Sequence, residues 1–316
     1  MKLLRGFAVI GALVFGTGAS AEGIWSAFGA LDGHSTLGYG RIFSNDFFGD
    51  GVDRWRTGSY SFSMVRGKGW TGEAPDRPFE LMEYRLRSEI IAPSKPNGAG
   101  SDDRPYVGAL SAGVLTHFQP VDGINMRAGA DLIALGPQTG MSRLQAGWHE
   151  LFSLPTLSQG VIDGQLGNAF HLAGSIELSH DYKVNDRLTV RPFAEGHVGS
   201  EQIARVGTDL IIGDVGQTDM FLRDVVTGQM ARAIEGDAGG FGYIVGADAA
   251  YVGDSIYFPE SSGVETEDMR FRARAGLHWQ IAPDMSFFYG LTYLSKELKN
   301  QPEGQFLGSL KLNFNF

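Results

Sequence analysis

The chain has 316 residues, with 26 basic and 36 acidic side chains, a formal charge of −10 and no cysteine. The acidic balance argues against a nucleic-acid partner, and the missing thiols exclude disulfides and thiolate zinc sites. Residues 1–21 read as a secretory signal: Lys2 and Arg5 precede the apolar run Gly6 to Val14, and Ala19-Ser20-Ala21 supplies small residues for cleavage. Without Lys2 and Arg5, the expected mature domain, residues 22–316, has 24 basic against 36 acidic residues and a charge of −12.

Beyond the signal no apolar run approaches the ~20 residues that a membrane helix needs. Two classes then fit, a secreted soluble β protein and an outer-membrane barrel. The C-terminus favours the barrel. Leu310-Lys311-Leu312-Asn313-Phe314-Asn315-Phe316 alternates strictly and stops on an aromatic residue, which resembles the last strand of bacterial outer-membrane barrels. As a soluble edge strand it would expose an unpaired apolar ribbon.

Alternating stretches recur at 37–45, 57–66, 79–91, 106–118, 122–135, 168–181, 187–199, 201–213, 239–252, 268–281, 284–296 and 305–316. The expected fold is therefore all-β, a transmembrane antiparallel barrel of about 12 strands. Phe271-Arg272-Ala273-Arg274-Ala275-Gly276-Leu277 typifies the pattern, with one row for lipid and one for a lumen. Tyr289, Tyr293, Phe306 and Phe316 suit aromatic girdles. His117, His171, His180, His197 and His278 fall inside strands and are expected to line the lumen.

With both termini periplasmic, connections after odd-numbered strands face outward. Segments 46–56, 92–105 and 136–167 become extracellular loops, the last long enough for a helix. Segment 214–238 fits poorly, since periplasmic turns are short. Either it folds against the lumen or the strand count is locally wrong.

The candidate chemistry gathers on the outer rim. If Gln145-Ala146-Gly147-Trp148-His149 is helical, the spacing of four puts the Gln145 amide and the His149 imidazole on one face. One ring can then take a proton while the amide orients it or binds its water. A lone loop histidine is nonetheless more often a surface or hydrogen-bonding residue than a catalyst. Asn45, Asp46, Asp50 and Asp53 supply oxygens of the kind calcium takes, and suit a solvated acidic turn as well. Arg54, Arg56, Arg104 and Arg143 add positive charge to the same rim. Ser142 and Ser153 flank the histidine without a nucleophile motif.

Asn45-Asp46, Asp53-Arg54-Trp55-Arg56-Thr57-Gly58, Asp103-Arg104-Pro105-Tyr106-Val107-Gly108, Gln145-x-x-x-His149 and Gly164-Gln165-Leu166-x-Asn168 resemble, in that order, the outer-membrane lipid A 3'-O-deacylase family. The ending from Tyr293 to Leu298 and from Gln305 to Leu310 is also similar. The resemblance spans essentially the mature chain. It implies a site between the barrel wall and a helix of an extracellular loop, where calcium assists hydrolysis of an acyl ester of lipid A in the lipopolysaccharide of the outer leaflet.

Carried over, His149 matches the water-activating base, Gln145 its helical neighbour, Asn45 and Asp46 the calcium-side pair, and Thr57 the site threonine. With lipid A as substrate, Arg54, Arg56, Arg104 and Arg143 could pair with its phosphates or form an ordinary charged rim; Arg54, Arg104 and Arg143 become tentative substrate contacts, and a monomer among outer-membrane lipids is expected. Three departures stand out. The family's Tyr-Thr-Asn-Gly reads Arg56-Thr57-Gly58-Ser59. Some members place an acidic residue where this chain has Pro155, so that Glu150 or Asp163 would have to substitute. A member lysine has only the displaced Lys95 as counterpart. The rival readings are an outer-membrane phospholipase with a serine nucleophile and a non-enzymatic pore or structural barrel.

Overall fold

The computed structural model describes residues 33–96, 103–236, 238–282 and 285–314. The expected signal segment and the terminal Phe316 lie outside the described residues. Fifteen strands follow one another: β1 (Ser35–Asn45), β2 (Trp55–Gly67), β3 (Leu81–Ala92), β4 (Val107–Val121), β5 (Ile124–Leu135), β6 (Ala169–His180), β7 (Tyr182–Asn185), β8 (Leu188–Val198), β9 (Glu201–Gly213), β10 (Met220–Arg223), β11 (Met230–Ile234), β12 (Gly240–Ser255), β13 (Met269–Ala282), β14 (Met285–Leu294) and β15 (Gln305–Phe314).

Twelve of them form a closed antiparallel wall. β1 to β6 pair in succession, β6 pairs with β8, and β8, β9, β12, β13, β14 and β15 lead back to β1. Each of the twelve lies within three residues of its expected span. Period-two alternation carries so far because the two faces of the wall meet opposite environments. On β13, Met269 and Phe271 are exposed while Arg270, Arg272 and Arg274 are buried. Leu172 on β6 is 73 % exposed and Val206 on β9 63 %. In water such a barrel would be inside out; against hydrocarbon the apolar face is satisfied, and closure leaves few unpaired backbone groups.

The lumen is packed with ion pairs. Asp209 accepts from Arg274 Nη2 at 2.6 Å and from Arg223 Nη1 at 2.8 Å, and Asp248 accepts from Arg272 Nε at 3.0 Å. Removing one member of such a network leaves its partner charged and unmatched. Asp209→Ala is therefore expected to destabilise the barrel by ~3–5 kcal/mol, read as a lower urea midpoint for the heat-modifiable gel band.

The connection between β9 and β12 resolves the parity problem. It folds back into the lumen as the hairpin β10–β11, whose strands pair only with each other and whose nine residues are all buried. The wall encloses both faces of this hairpin. Gln229 Nε2 donates to Thr292 Oγ1 at 3.0 Å and to the Ala275 and Leu291 carbonyls at 3.2 Å. Gly276 and Gly290 make room for it, because a Cβ there would lie 3.0 Å from Gln229 Oε1 and 2.6 Å from its Cδ. With the lumen so filled, the intact chain is expected to give no steady conductance in planar bilayers. Stable channel steps would mean that the hairpin leaves the lumen.

Four of the five strand histidines follow expectation. His117 pairs with Glu83, His197 with Glu195, His278 packs on Phe221 of the hairpin, and His171 shares the inner face of Ala173. His180 departs from it. It shares the outer row of Phe170 and Leu172, and its ring meets the Gly123 carbonyl and Tyr182 at the strand end.

Candidate functional site at the long-loop rim

The connections after β1, β3, β5, β12 and β14 meet at one end of the barrel, the longest of them between β5 and β6, and there two irregularities reshape the entry into β2. Trp55 adopts φ 57°, a left-handed conformation uncommon for a large side chain, and the β2–β3 register shifts between Arg56 and Gly58. The bulge reverses the parity of the strand. Arg56 turns into the lumen, where it meets Glu89 and Glu297, and Thr57 turns outward.

The outer face receives a helix. Helix α1 (Met141–Phe152) begins after Gly140, at φ 71°, and ends on Ser153, at φ 58°. Its buried residues are Met141, Gln145 and His149, spaced by four along one face. Met141 sits on Gly108 of β4, where a Cβ would approach the Met141 Cβ to 2.7 Å. The neighbours Val107 and Ala109 point into the inner core beside Ile91, so α1 lies against the exterior of the wall. Helix α2 (Gln159–Asp163), capped by Ser158, follows and buries Val161 against Ala92 and Tyr106.

The site forms between this helix and the bulged strand. His149 Nε2 lies 3.0 Å from Asp53 Oδ2. Asp53 Oδ1 accepts from Thr57 Oγ1 and, at 3.5 Å, from Gln145 Nε2. The left-handed turn at Ser153 brings the chain back so that the Pro155 carbonyl meets His149 Nδ1 at 2.5 Å. Oxygen acceptors thus face both ring nitrogens, and the Gln145 amide nitrogen lies 3.5 Å from Nε2. The Asp53 hydrogen bond, opposed by burial and aided by the Pro155 carbonyl, raises the His149 pKa. Burial would push the Asp53 carboxyl up, but hydrogen bonds from His149 and Thr57 hold it below its ordinary value.

Asn45 and Asp46, the pair expected on the calcium side, lie alongside. Asp46 is 2 % exposed and its Oδ2 accepts the Arg54 N–H at 2.9 Å. Burial, reinforced by the charge of Asp53, pushes its carboxyl up to about 8. Asn45 spends its amide on the backbone: Oδ1 accepts from Phe47 N at 2.9 Å and Nδ2 donates to the Thr57 carbonyl at 2.7 Å. Two further polar atoms in this region, Gln145 Oε1 and the Tyr106 hydroxyl, are buried without a partner. Among the described residues no three His, Cys, Asp or Glu side chains are grouped to hold a metal. A cation here would have two carboxylates, Asp46 and Asp53, together with amide, backbone and water oxygens. That all-oxygen donor set, with a buried carboxylate short of positive charge, fits calcium.

The arginines divide. Arg104 is fully buried, with Nη1 on Glu297 at 2.6 Å and Nη2 on Gln301. It cannot meet a lipid phosphate, and neither can Arg56. Arg54 is held by Glu303 at 2.9 Å and Asp50 at 3.4 Å and stacks over Trp55 at 4.1 Å. Arg143 is exposed on α1, and Lys95 is exposed on the neighbouring loop. Neither expected substitute for the missing acid reaches the ring: Glu150 is exposed, and Asp163 accepts from Gln159. The backbone carbonyl of Pro155 holds Nδ1 instead. Ser142 and Ser153 are not among the ring's partners.

A closed barrel with an apolar exterior, a plugged lumen and a buried polar cluster beneath a rim helix defines a membrane-spanning β-barrel that carries a site on its outer wall. The family model described as outer membrane protein LpxR matches residues 12–316, so the chain belongs to that family of outer-membrane proteins. No curated protein matches it in sequence. Among solved structures, LpxR from Salmonella typhimurium superposes with a TM-score of 0.71 at 15 % identity, covering 88 % of this chain and 99 % of that one. The β domain of the Bordetella autotransporter BrkA follows with a TM-score of 0.42 at 10 % identity, covering 90 % of this chain and 100 % of that one.

Proposed function

We propose that the chain is a calcium-dependent lipid A 3'-O-deacylase, working as a monomer with the long-loop rim facing outward and His149 as the base that activates water. The observation that carries this reading is the His149–Asp53–Thr57–Gln145 cluster on the lipid-facing side of the wall, with His149, Thr57 and Gln145 buried and Asp53 half-buried. A lipid ester can reach that position from the membrane. A substrate confined to the lumen would meet the plug.

The residues divide the work as follows. The Pro155 carbonyl fixes Nδ1–H, which leaves Nε2 as the working nitrogen once it has given up its proton. Nε2 takes a proton from water as the water oxygen bonds to the ester carbon. The same proton then goes to the departing sugar oxygen, so that ester and water become a fatty acid and an alcohol. Thr57 and Gln145 hold Asp53, and Asn45 holds the bulged backbone beneath Thr57. Asp46 and Asp53, with the free Gln145 oxygen, would hold calcium, which when bound supplies Lewis-acid polarisation of the ester carbonyl. Arg143 remains the arginine available to a lipid phosphate.

Mass spectrometry of lipid A from cells expressing the chain tests the reading. Loss of the 3'-linked acyl unit is expected with calcium and not with chelator. Unchanged lipid A in every sample, with the barrel folded, would sink it. Activity that survives loss of His149 but not of Ser142 or Ser153 would mark a serine phospholipase.

A further inference from the structure

Helix α1 has a second face that the chemistry does not use. Leu144 is 48 % exposed, Leu151 40 % and Phe152 36 %, and the half-buried Trp148 packs against Phe152 with ring centroids 4.8 Å apart and planes tilted by 46°. At 100° per residue these four side chains span an arc of about 100° that adjoins the arc of Gln145 and His149. Arg143 and Glu150, both exposed, lie on the far side. The helix therefore has three sides: polar and catalytic toward the wall, charged toward water, and apolar between them.

The strand register tells what the apolar side meets. Met141 rests on Gly108, and two residues down the outer face of β4 comes Leu110, level with Ala134 on β5 and Phe170 on β6. Leu110, Leu132, Phe170 and Leu172 are exposed and belong to the apolar belt of the barrel. Met141, at the start of the helix, thus lies about 7 Å along β4 from the exposed Leu110, at two strand residues of rise. The apolar arc of the helix therefore begins beside that belt.

We propose that α1 is an interfacial anchor whose Leu144, Trp148, Leu151 and Phe152 insert among the acyl chains of the leaflet at the long-loop rim, so that lipid enters the His149 site sideways from the membrane. A helix with one apolar and one charged side lies in the plane of such an interface. The insertion rests on the membrane barrel alone; only the entry route rests on the hydrolase reading.

The cysteine-free chain permits a direct test. Single variants Leu144→Cys, Leu151→Cys, Arg143→Cys and Glu150→Cys, labelled with a bimane fluorophore, are reconstituted in phosphatidylcholine vesicles with and without doxyl-labelled lipid. Probes at 144 and 151 are expected to lose most of their emission to the doxyl lipid and to shift to the blue, while those at 143 and 150 keep theirs. Equal quenching at all four positions would overturn the insertion, whatever the enzyme does. For the entry route, the double variant Leu144→Ser, Leu151→Ser is expected to hydrolyse lipid A in vesicles several-fold more slowly than wild type. It should match wild type on lipid A dispersed in detergent. Equal loss in both media would overturn sideways entry, and insertion without any hydrolysis would leave the anchor standing while removing the proposed activity.

Discussion

Replacing His149 by alanine is expected to lower hydrolysis of the lipid A ester by about 10²–10⁴-fold, the usual worth of a positioned acid–base group. The ring is 3 % exposed and held at both nitrogens, so its position is fixed before substrate arrives. His149→Gln is the sharper control, because the amide refills the space and can still donate to Asp53 but cannot cycle a proton. Both variants should keep the heat-modifiable mobility of a folded barrel, since the cluster lies outside the wall. Mass spectrometry of lipid A reads the result, and a His149→Gln protein that works at wild-type rate would remove the base from the mechanism.

Asp46→Asn is expected to cost about 10²–10³-fold in rate, the scale of losing one electrostatic stabiliser of the oxyanion. It should also abolish calcium binding by titration calorimetry. The substitution keeps the shape and still accepts the Arg54 N–H, and burial already works against the charge of this carboxylate. Asparagine should therefore leave stability unchanged or improve it, so a loss of activity would report on the cation. Wild-type protein in chelator should fall to the same low rate. Full activity of Asp46→Asn with unaltered calcium binding would move the metal elsewhere.

The wall and the helix were legible because each is written in a period. Alternation fixes the β strands wherever one face meets lipid and the other meets charge, as on β13, and the spacing of Gln145 and His149 anticipates the buried side of α1. The lumen hairpin was not legible, because Met220–Arg223 and Met230–Ile234 are enclosed on every side and their segments are too short to show a face. The arginines failed for a different reason. Sequence places Arg54, Arg56 and Arg104 near the rim, but one extra residue at Thr57 exchanges inside for outside and sends Arg56 into the barrel. The part of Asp53 was hidden as well. It stood among several acids of one turn, and nothing local reveals that it meets a helix 96 positions later. The grip on Nδ1 comes from a main-chain carbonyl, which every residue possesses, so Pro155 looked like a gap.

The hairpin inside the lumen has a mechanical consequence for the wall. Neighbouring strands pair over about ten residues along most of the barrel, as between β14 and β15, but among the described residues β1 and β15 pair only through Phe43, Ser44 and Asn45. That seam is backed from within. Ile42 of β1 and Phe288 of β14 share a core with Ala231 of the hairpin, Gly38 of β1 lies so close that a Cβ would collide with the Ala233 carbonyl, and Lys311 of β15 donates to the Arg232 carbonyl at 2.7 Å. The segment that seals the bore is thus also the clasp that holds the first and last staves of the cylinder together.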